Sequence, residues 1–102
     1  LAGGFYKNCD GTDVLNYLPF GVVEIGNVTP KAQAGNEKTR LFRYTEDESL
    51  RNKMGFNNCG AEVVLKNLNE GNRRGKIVGV NLGKNKITNM IYFRYMYGYR
   101  HT

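Results

Sequence analysis

Three short apolar runs along the chain close in the same way, on glycine and polar residues. Leu1 to Phe5 gives way to Tyr6, Lys7 and Asn8. Val22, Val23 and Ile25 lead into Gly26, Asn27, Thr29 and Pro30. Ile77, Val78, Val80 and Leu82 lead into Gly83, Lys84, Asn85 and Lys86. Runs of this length, rich in β-branched side chains, favour buried strands over helices. Helical patterns lie between them. In "DGTDVLNYLPF", Thr12 or Asp13 can cap a short helix that turns Val14, Leu15 and Leu18 inward. In "NNCGAEVVLKNLNEG", Ala61, Val64, Leu65 and Leu68 fall at i, i+3, i+4, i+7, and Gly71 marks a stop. Strand, helix, strand, helix, strand begins a parallel α/β array. The pattern therefore predicts parallel strands near 1–5, 22–27 and 77–82, side by side in that order, with helices near 11–18 and 58–69 on one face and right-handed crossovers.

The connection over residues 29–58 is too long for a plain loop. Within "RLFRYTEDESLRNKMGFNN", Leu41 and Phe42 precede an acidic turn at Glu46, Asp47 and Glu48, and Leu50 follows. That reads as a hairpin inserted after the second strand. It ends in "NKMGFNN", where Gly55 permits close approach of backbone to a ligand and the backbone N–H groups ahead of the helix can hold an anion. In a β/α barrel the site is built at the carboxyl ends of the strands. Three strand ends carrying Gly with Lys, Asn or Thr would then converge on one rim. The fold class is α/β: the first portion of a (β/α)8 TIM-type barrel, incomplete, with a hairpin-like insertion after the second strand.

"VGVNLGKNK" invites comparison with a phosphate loop, and spacing rejects it. Such a loop needs four residues between its glycines and Ser or Thr after the lysine. Gly79 and Gly83 enclose three, and Asn85 follows Lys84.

Charge is unevenly placed within the net +6: residues 1–70 hold eight Lys/Arg against nine Asp/Glu, and residues 71–102 hold seven Lys/Arg and no acid. Such asymmetry fits a nucleic-acid arm, an anion site or a membrane-facing tail, as well as a plain solvated surface. The two cysteines, Cys9 and Cys59, are far apart, there is no Cys-x-x-Cys, and the single histidine, His101, is next to the terminus. These features argue against a metal site and favour free thiols of a reduced intracellular chain over a disulfide. The 102 residues suffice for one small core, begin at Leu1 with no leader character, and contain no apolar stretch near the ~18 residues of a membrane span. The expectation is a piece of a longer protein.

"LAGGFYKN", "GVVEIGNVTPKAQAGNEKTRLFR", "NKMGFNNCG" and "VGVNLGKNK" resemble, in order and spacing, the class 2 (quinone-linked) dihydroorotate dehydrogenases over residues 1–86. The resemblance implies a β/α barrel holding flavin mononucleotide (FMN), and an oxidoreductase that converts (S)-dihydroorotate to orotate in pyrimidine (UMP) synthesis with ubiquinone as acceptor. It implies FMN contacts from Gly3, Gly4, Phe5, Tyr6, Lys7, Asn27 and Asn81, and dihydroorotate/orotate contacts from Lys7, Asn52, Lys53, Met54, Gly55 and Phe56. Tyr6 stands where the family pattern has an acid, and Asn27 where it has a small hydroxyl residue. The family's serine base lies in a later strand-end loop, so no catalytic residue is assigned within these 102 and the chain alone is expected to be inactive. A quinone-binding helical segment would precede Leu1 and carry membrane association. The implied location is the mitochondrial inner membrane in a eukaryote or the cytoplasmic membrane in a bacterium.

Beyond Lys86 the resemblance fades. Residues 87–102 form a basic, tyrosine-rich tail in which Phe93, Tyr95, Tyr97 and Tyr99 alternate with Arg94 and Arg100 on the other face. Stacked aromatics with arginine fit nucleic-acid binding, but a segment foreign to the barrel explains the tail more simply. A non-catalytic nucleic-acid-binding or structural module is the alternative to the enzyme.

Overall fold

The computed structural model describes residues 1–15, 17–71 and 75–89, with backbone alone at Thr12 and Leu15. In chain order the elements are α1 (Thr12–Leu15), β1 (Val22–Val28), β2 (Leu41–Tyr44), β3 (Ser49–Asn52), α2 (Ala61–Glu70) and β4 (Ile77–Leu82). β1 and β4 pair in parallel, Val22 opposite Ile77 through Gly26 opposite Asn81, with a register shift between Gly26 and Val28. β2 and β3 form a separate antiparallel hairpin, Leu41 opposite Asn52 and Tyr44 opposite Ser49. The acidic residues 46–48 occupy its turn. The chain is thus a mixed α/β unit whose two long strands run as the alternation of apolar runs and helix predicts.

β1 supplies most of the core. Val23, Ile25 and Val28 are buried together with Cys9 and with Val64 of α2, and Leu1, Tyr6, Leu18, Cys59, Leu68 and Val78 pack against them. Each aliphatic side chain so buried contributes roughly 1.5–3 kcal/mol. α2 starts after Gly60, whose φ of 87° suits glycine, and stops where the Gly71 N–H returns to the Asn67 carbonyl at 3.0 Å. Asn8 ties the first segment to this helix, its Oδ1 accepting from the Cys59 N–H and its carbonyl from Asn67 Nδ2.

Four expectations need correction. Residues 1–5 form no strand. They run beside β1, bonding through Leu1 and Gly4 to Val22, Glu24 and Gly26, and make one parallel bridge at Tyr6–Ile25. The Gly3-Gly4 turn, with Gly4 at φ 104°, breaks the ladder between. α1 is a single turn, and Val14 is 54% exposed rather than inward, because one turn cannot aim two successive rows at the sheet. In α2 only Val64 and Leu68 face the core, whereas Leu65 is 58% exposed. A surface two strands wide accepts a narrower stripe than the sequence spacing offers. β4 forms where expected yet is not buried: Ile77 and Leu82 are 65% and 68% exposed, since among the described residues no strand covers its far side. The tyrosine-rich tail lies outside the described residues from residue 90 onward.

The carboxyl ends of β1 and β4 are joined by a buried polar network. Asn85, 5% exposed, donates to Thr29 Oγ1 (3.1 Å), the Lys31 carbonyl (2.7 Å) and Gln33 Oε1 (3.1 Å), and accepts from the Lys31 N–H (3.0 Å). Asn58 Oδ1 accepts from the N–H groups of Thr29 and Gly60, and its Nδ2 donates to Thr29 Oγ1 and the Phe56 carbonyl. The basic turn after β4 is therefore structural through its asparagine. Asn85→Ala is expected to destabilise the protein by about 2–4 kcal/mol, since several buried partners lose their bonds together, against under ~0.5 kcal/mol for exposed Lys86→Ala. Equilibrium urea unfolding of the two variants checks this.

Candidate functional site

A cleft of about 690 Å³ opens between the first segment and the hairpin. Gly3, Gly4, Phe5 and Lys7 form one wall; Asn52, Lys53, Met54, Gly55 and Phe56 form the other; Leu41, Arg43 and Leu50 of the hairpin close the side. The hairpin puts Asn52 at the end of β3, and the chain then turns back through Gly55 toward α2. Gly55 has φ 75°, and a Cβ there would lie 2.6–2.8 Å from Asn36, so the turn admits only glycine. The following Phe56 shares the left-handed conformation at φ 55°, an uncommon one for an aromatic residue.

Two segments some 45 positions apart in sequence thus meet across one opening. Its walls are apolar rings and methylenes, and its charges are cationic. Arg40 is held beside it by the Ala34 and Asn36 carbonyls, at 2.7 and 3.0 Å. Burial and then this neighbouring guanidinium lower the Lys7 pKa from its ordinary 10.5. Lys7 has no ion-pair partner among the described residues. A desolvated cation facing a second cation favours an anion in the space between.

Asn27 and Asn81 are outside this cleft but beside each other: Asn27 Nδ2 donates to Asn81 Oδ1 at 3.0 Å, and Asn81 Nδ2 donates to Glu24 Oε1 at 3.1 Å. Asn27 lines a smaller hollow of about 330 Å³ that shares Asn36, Gly55 and Phe56 with the cleft. Its Oδ1 is buried and unpartnered, and the Gly83 backbone packs so closely that a Cβ would stand 2.5 Å from that oxygen. Tyr6 turns away, its hydroxyl donating to the Gly11 carbonyl at 3.3 Å. Cys59 is no poised nucleophile, because burial pushes its thiol pKa up. Among the described residues no cluster of three His, Cys, Asp or Glu could hold a metal ion, and no helix is long and apolar enough to cross a membrane.

Comparison with known proteins gives this cleft its setting. A profile of the family described as dihydroorotate dehydrogenase matches residues 1–100. The chain belongs to the dihydroorotate dehydrogenase family. It is 57% identical over 86 residues to a dihydroorotate dehydrogenase (quinone) from Rhodopseudomonas palustris (strain HaA2), covering 84% of this chain and 24% of that protein. A dihydroorotate dehydrogenase (quinone) from Xanthomonas campestris pv. campestris (strain B100) is 51% identical over 88 residues, 86% of this chain and 25% of the relative. The chain therefore spans about a quarter of the length of the curated relatives it matches. The ligand-free DHODH crystal structure from Eimeria tenella superimposes with a TM-score of 0.78 at 41% identity, over 87% of this chain and 27% of that one. The same enzyme's complex with ferulenol gives 0.77 at 40% identity, over 87% and 26%.

Sequence reasoning missed the residues that support the cleft wall. Gln33, Asn36 and Arg40 fall in a segment without periodicity, and nothing local marks them. Their importance lies in bonds to residues 53–56.

The lowered Lys7 pKa has a consequence for this dehydrogenase-family chain. A lysine whose folded pKa is below its unfolded one costs stability while charged in the folded state. That cost is full at neutral pH and disappears as pH rises toward 10.5. Lys7→Met is expected to raise the melting temperature of ligand-free protein at pH 7, with the gain shrinking by pH 10, as thermal melts at the two pH values will report.

Proposed function

We propose that these residues form the first part of the catalytic domain of an FMN-dependent, quinone-linked dihydroorotate dehydrogenase. The whole protein oxidises (S)-dihydroorotate to orotate in de novo pyrimidine synthesis and delivers electrons to ubiquinone. One observation carries the reading: the segment assigned to flavin and the segment assigned to orotate line a single cleft. The domain is a β/α barrel in which β1 and β4 are successive strands and the β2–β3 hairpin is an insertion. Residues 1–86 belong to the barrel and 87–102 to a divergent tail. The family profile runs on to residue 100, so the division rests on the fading of the sequence resemblance after Lys86.

The residues present suit a flavin. Gly4 leaves open space where a side chain would stand, so a flat ring can lie along the backbone of residues 3–6. The buried, unpartnered Asn27 Oδ1 offers an acceptor beside the strand ends, and Asn81 is its neighbour. When bound, FMN supplies the hydride-accepting chemistry. The chain's own part is binding and orientation. Lys7 holds a cation against an anionic ring system, where a fixed charge in a partly dry site is worth more than in water. Asn52 offers an amide to orotate, and Lys53, Met54, Gly55 and Phe56 offer backbone to its carboxylate. The base belongs to a part of the protein beyond these residues, and so does the membrane-associating segment. The membrane is the inner mitochondrial one in a eukaryote, the cytoplasmic one in a bacterium.

In the full-length enzyme, Lys7→Ala and Asn52→Ala are expected to lower kcat/KM for dihydroorotate by roughly 100-fold or more, the scale of one well-aimed donor, whereas Lys86→Ala changes it little. Equal, small effects in all three, followed as quinone-dependent orotate formation, would remove the site assignment.

A second expectation concerns the 102 residues alone. Supplied with FMN, dihydroorotate and a dye acceptor, they should reduce no dye above the protein-free blank, for general base catalysis contributes typically 100- to 10,000-fold. Measurable reduction would place a base within them.

A further inference from the structure

Four successive carbonyls in the far wall of the cleft are held by Gln33 and by Asn36, which itself lines the cleft at its edge. Asn36 Nδ2 donates to the Lys53 carbonyl at 2.8 Å, and the Asn36 backbone N–H donates to that of Met54 at 3.0 Å. Gln33 Nε2 donates to the carbonyls of Gly55 and Phe56, at 3.3 and 3.1 Å. Gln33 is itself fixed, because its Oε1 accepts from Asn85 Nδ2 and from the Lys86 N–H, both at 3.1 Å. Every peptide of this stretch is trans, and a planar trans peptide points its C=O and N–H in opposite directions. Holding the four carbonyls on one side therefore turns the N–H groups of Met54, Gly55, Phe56 and Asn57 to the other.

Those N–H groups are left without protein acceptors. Among the described residues nothing accepts from Gly55, Phe56 or Asn57, and the Met54 N–H reaches only Asn52 Oδ1, at 3.4 Å. The change from an ordinary φ at Met54 to a positive one at Gly55 curls the row, as in the backbone concavities that bind anions. Strained backbone of this kind persists only where its surroundings hold it, and Gln33 and Asn36 are what hold it.

We infer that Gln33 and Asn36 are positioning residues that preset this row of N–H groups for a carboxylate, with Lys7 on the opposite wall as its countercharge. The inference rests on reading the cleft as the orotate site, and it assigns the source of selectivity for a charged carboxylate over an uncharged group of the same shape. A carboxamide carries hydrogens on one of the two atoms that face the row, and those hydrogens repel the N–H groups. Neither Gln33 nor Asn36 has to touch the reacting atoms for this.

The test measures dissociation constants of orotate and of its carboxamide, orotamide, on the full-length FMN-loaded enzyme by calorimetry, in the parent and in Gln33→Leu, Asn36→Ala and Asn52→Ala. The expected result is a loss of about tenfold or more for orotate in Gln33→Leu and Asn36→Ala, with orotamide changed by less than about threefold, because only charge-assisted bonds are lost. Gln33→Leu also loosens Asn85; if that variant does not fold, Asn36→Ala decides alone, since its side chain donates only to the Lys53 carbonyl. Equal losses for both ligands, or no loss, would overturn the positioning role while leaving the site reading intact. If the parent does not bind orotate, or Asn52→Ala leaves its affinity unchanged, the site reading itself falls, and the inference with it.

Discussion

A threonine hydroxyl with almost no access to solvent organises this part of the molecule. Thr29 follows directly on β1, is 1% exposed, donates to the Lys31 carbonyl and accepts from the amides of Asn58 and Asn85. Asn58 belongs to the turn that leads from the hairpin into α2; Asn85 belongs to the turn after β4. Three stretches far apart in sequence are thus fixed by polar groups that have no water to fall back on. Buried donors and acceptors must find partners, and in a low-dielectric setting a network satisfies all its members or costs heavily. Shape follows from that demand. Apolar packing alone would let the two turns slide over the sheet end; the amide geometry permits one arrangement.

The cleft depends on the network at one remove. Gln33 takes part in it through Asn85 and Lys86 and reaches forward to Gly55 and Phe56. The wall of the cleft is thereby connected to the sheet end by an unbroken chain of hydrogen bonds, whereas the hairpin touches the rest of the fold more lightly and exposes Leu41, Tyr44 and Leu50. Rigid support lies on the side of residues 53–56, and the looser, apolar hairpin lies on the other.

Much of the architecture was legible because it is local. β-branched runs announced β1 and β4, the acidic triplet announced the hairpin turn, and helical spacing with Gly71 announced α2. The errors came where neighbours decide. Leu65 looks like Val64's partner on a helix drawn alone, but the surface beneath is too narrow to cover both. Ile77 and Leu82 look buried, yet burial is a property of what stands opposite. The turn after β4 is the clearest case: its lysines attract notice as charges, while the buried Asn85 bonds to residues 52 to 56 positions earlier. Composition cannot reveal such partners. Lys7 and Asn52 come from two of the four strings that resemble the dihydroorotate dehydrogenases, and they line one opening although no local pattern joins them.

The pairing of β1 with β4 also sets an order in time. Val22 waits for Ile77, 55 positions downstream, and at synthesis rates of 5–20 residues per second that interval lasts about 3–11 s. A hairpin closes in about 1–10 μs, so β2 and β3 can join as soon as Asn52 leaves the ribosome. The hairpin is then complete seconds before the parallel pair, and β1, the most buried of the described strands, spends those seconds without its partner. A pause in translation between residues 52 and 77 would lengthen the one interval in which Val23 and Ile25 are open to any passing chain.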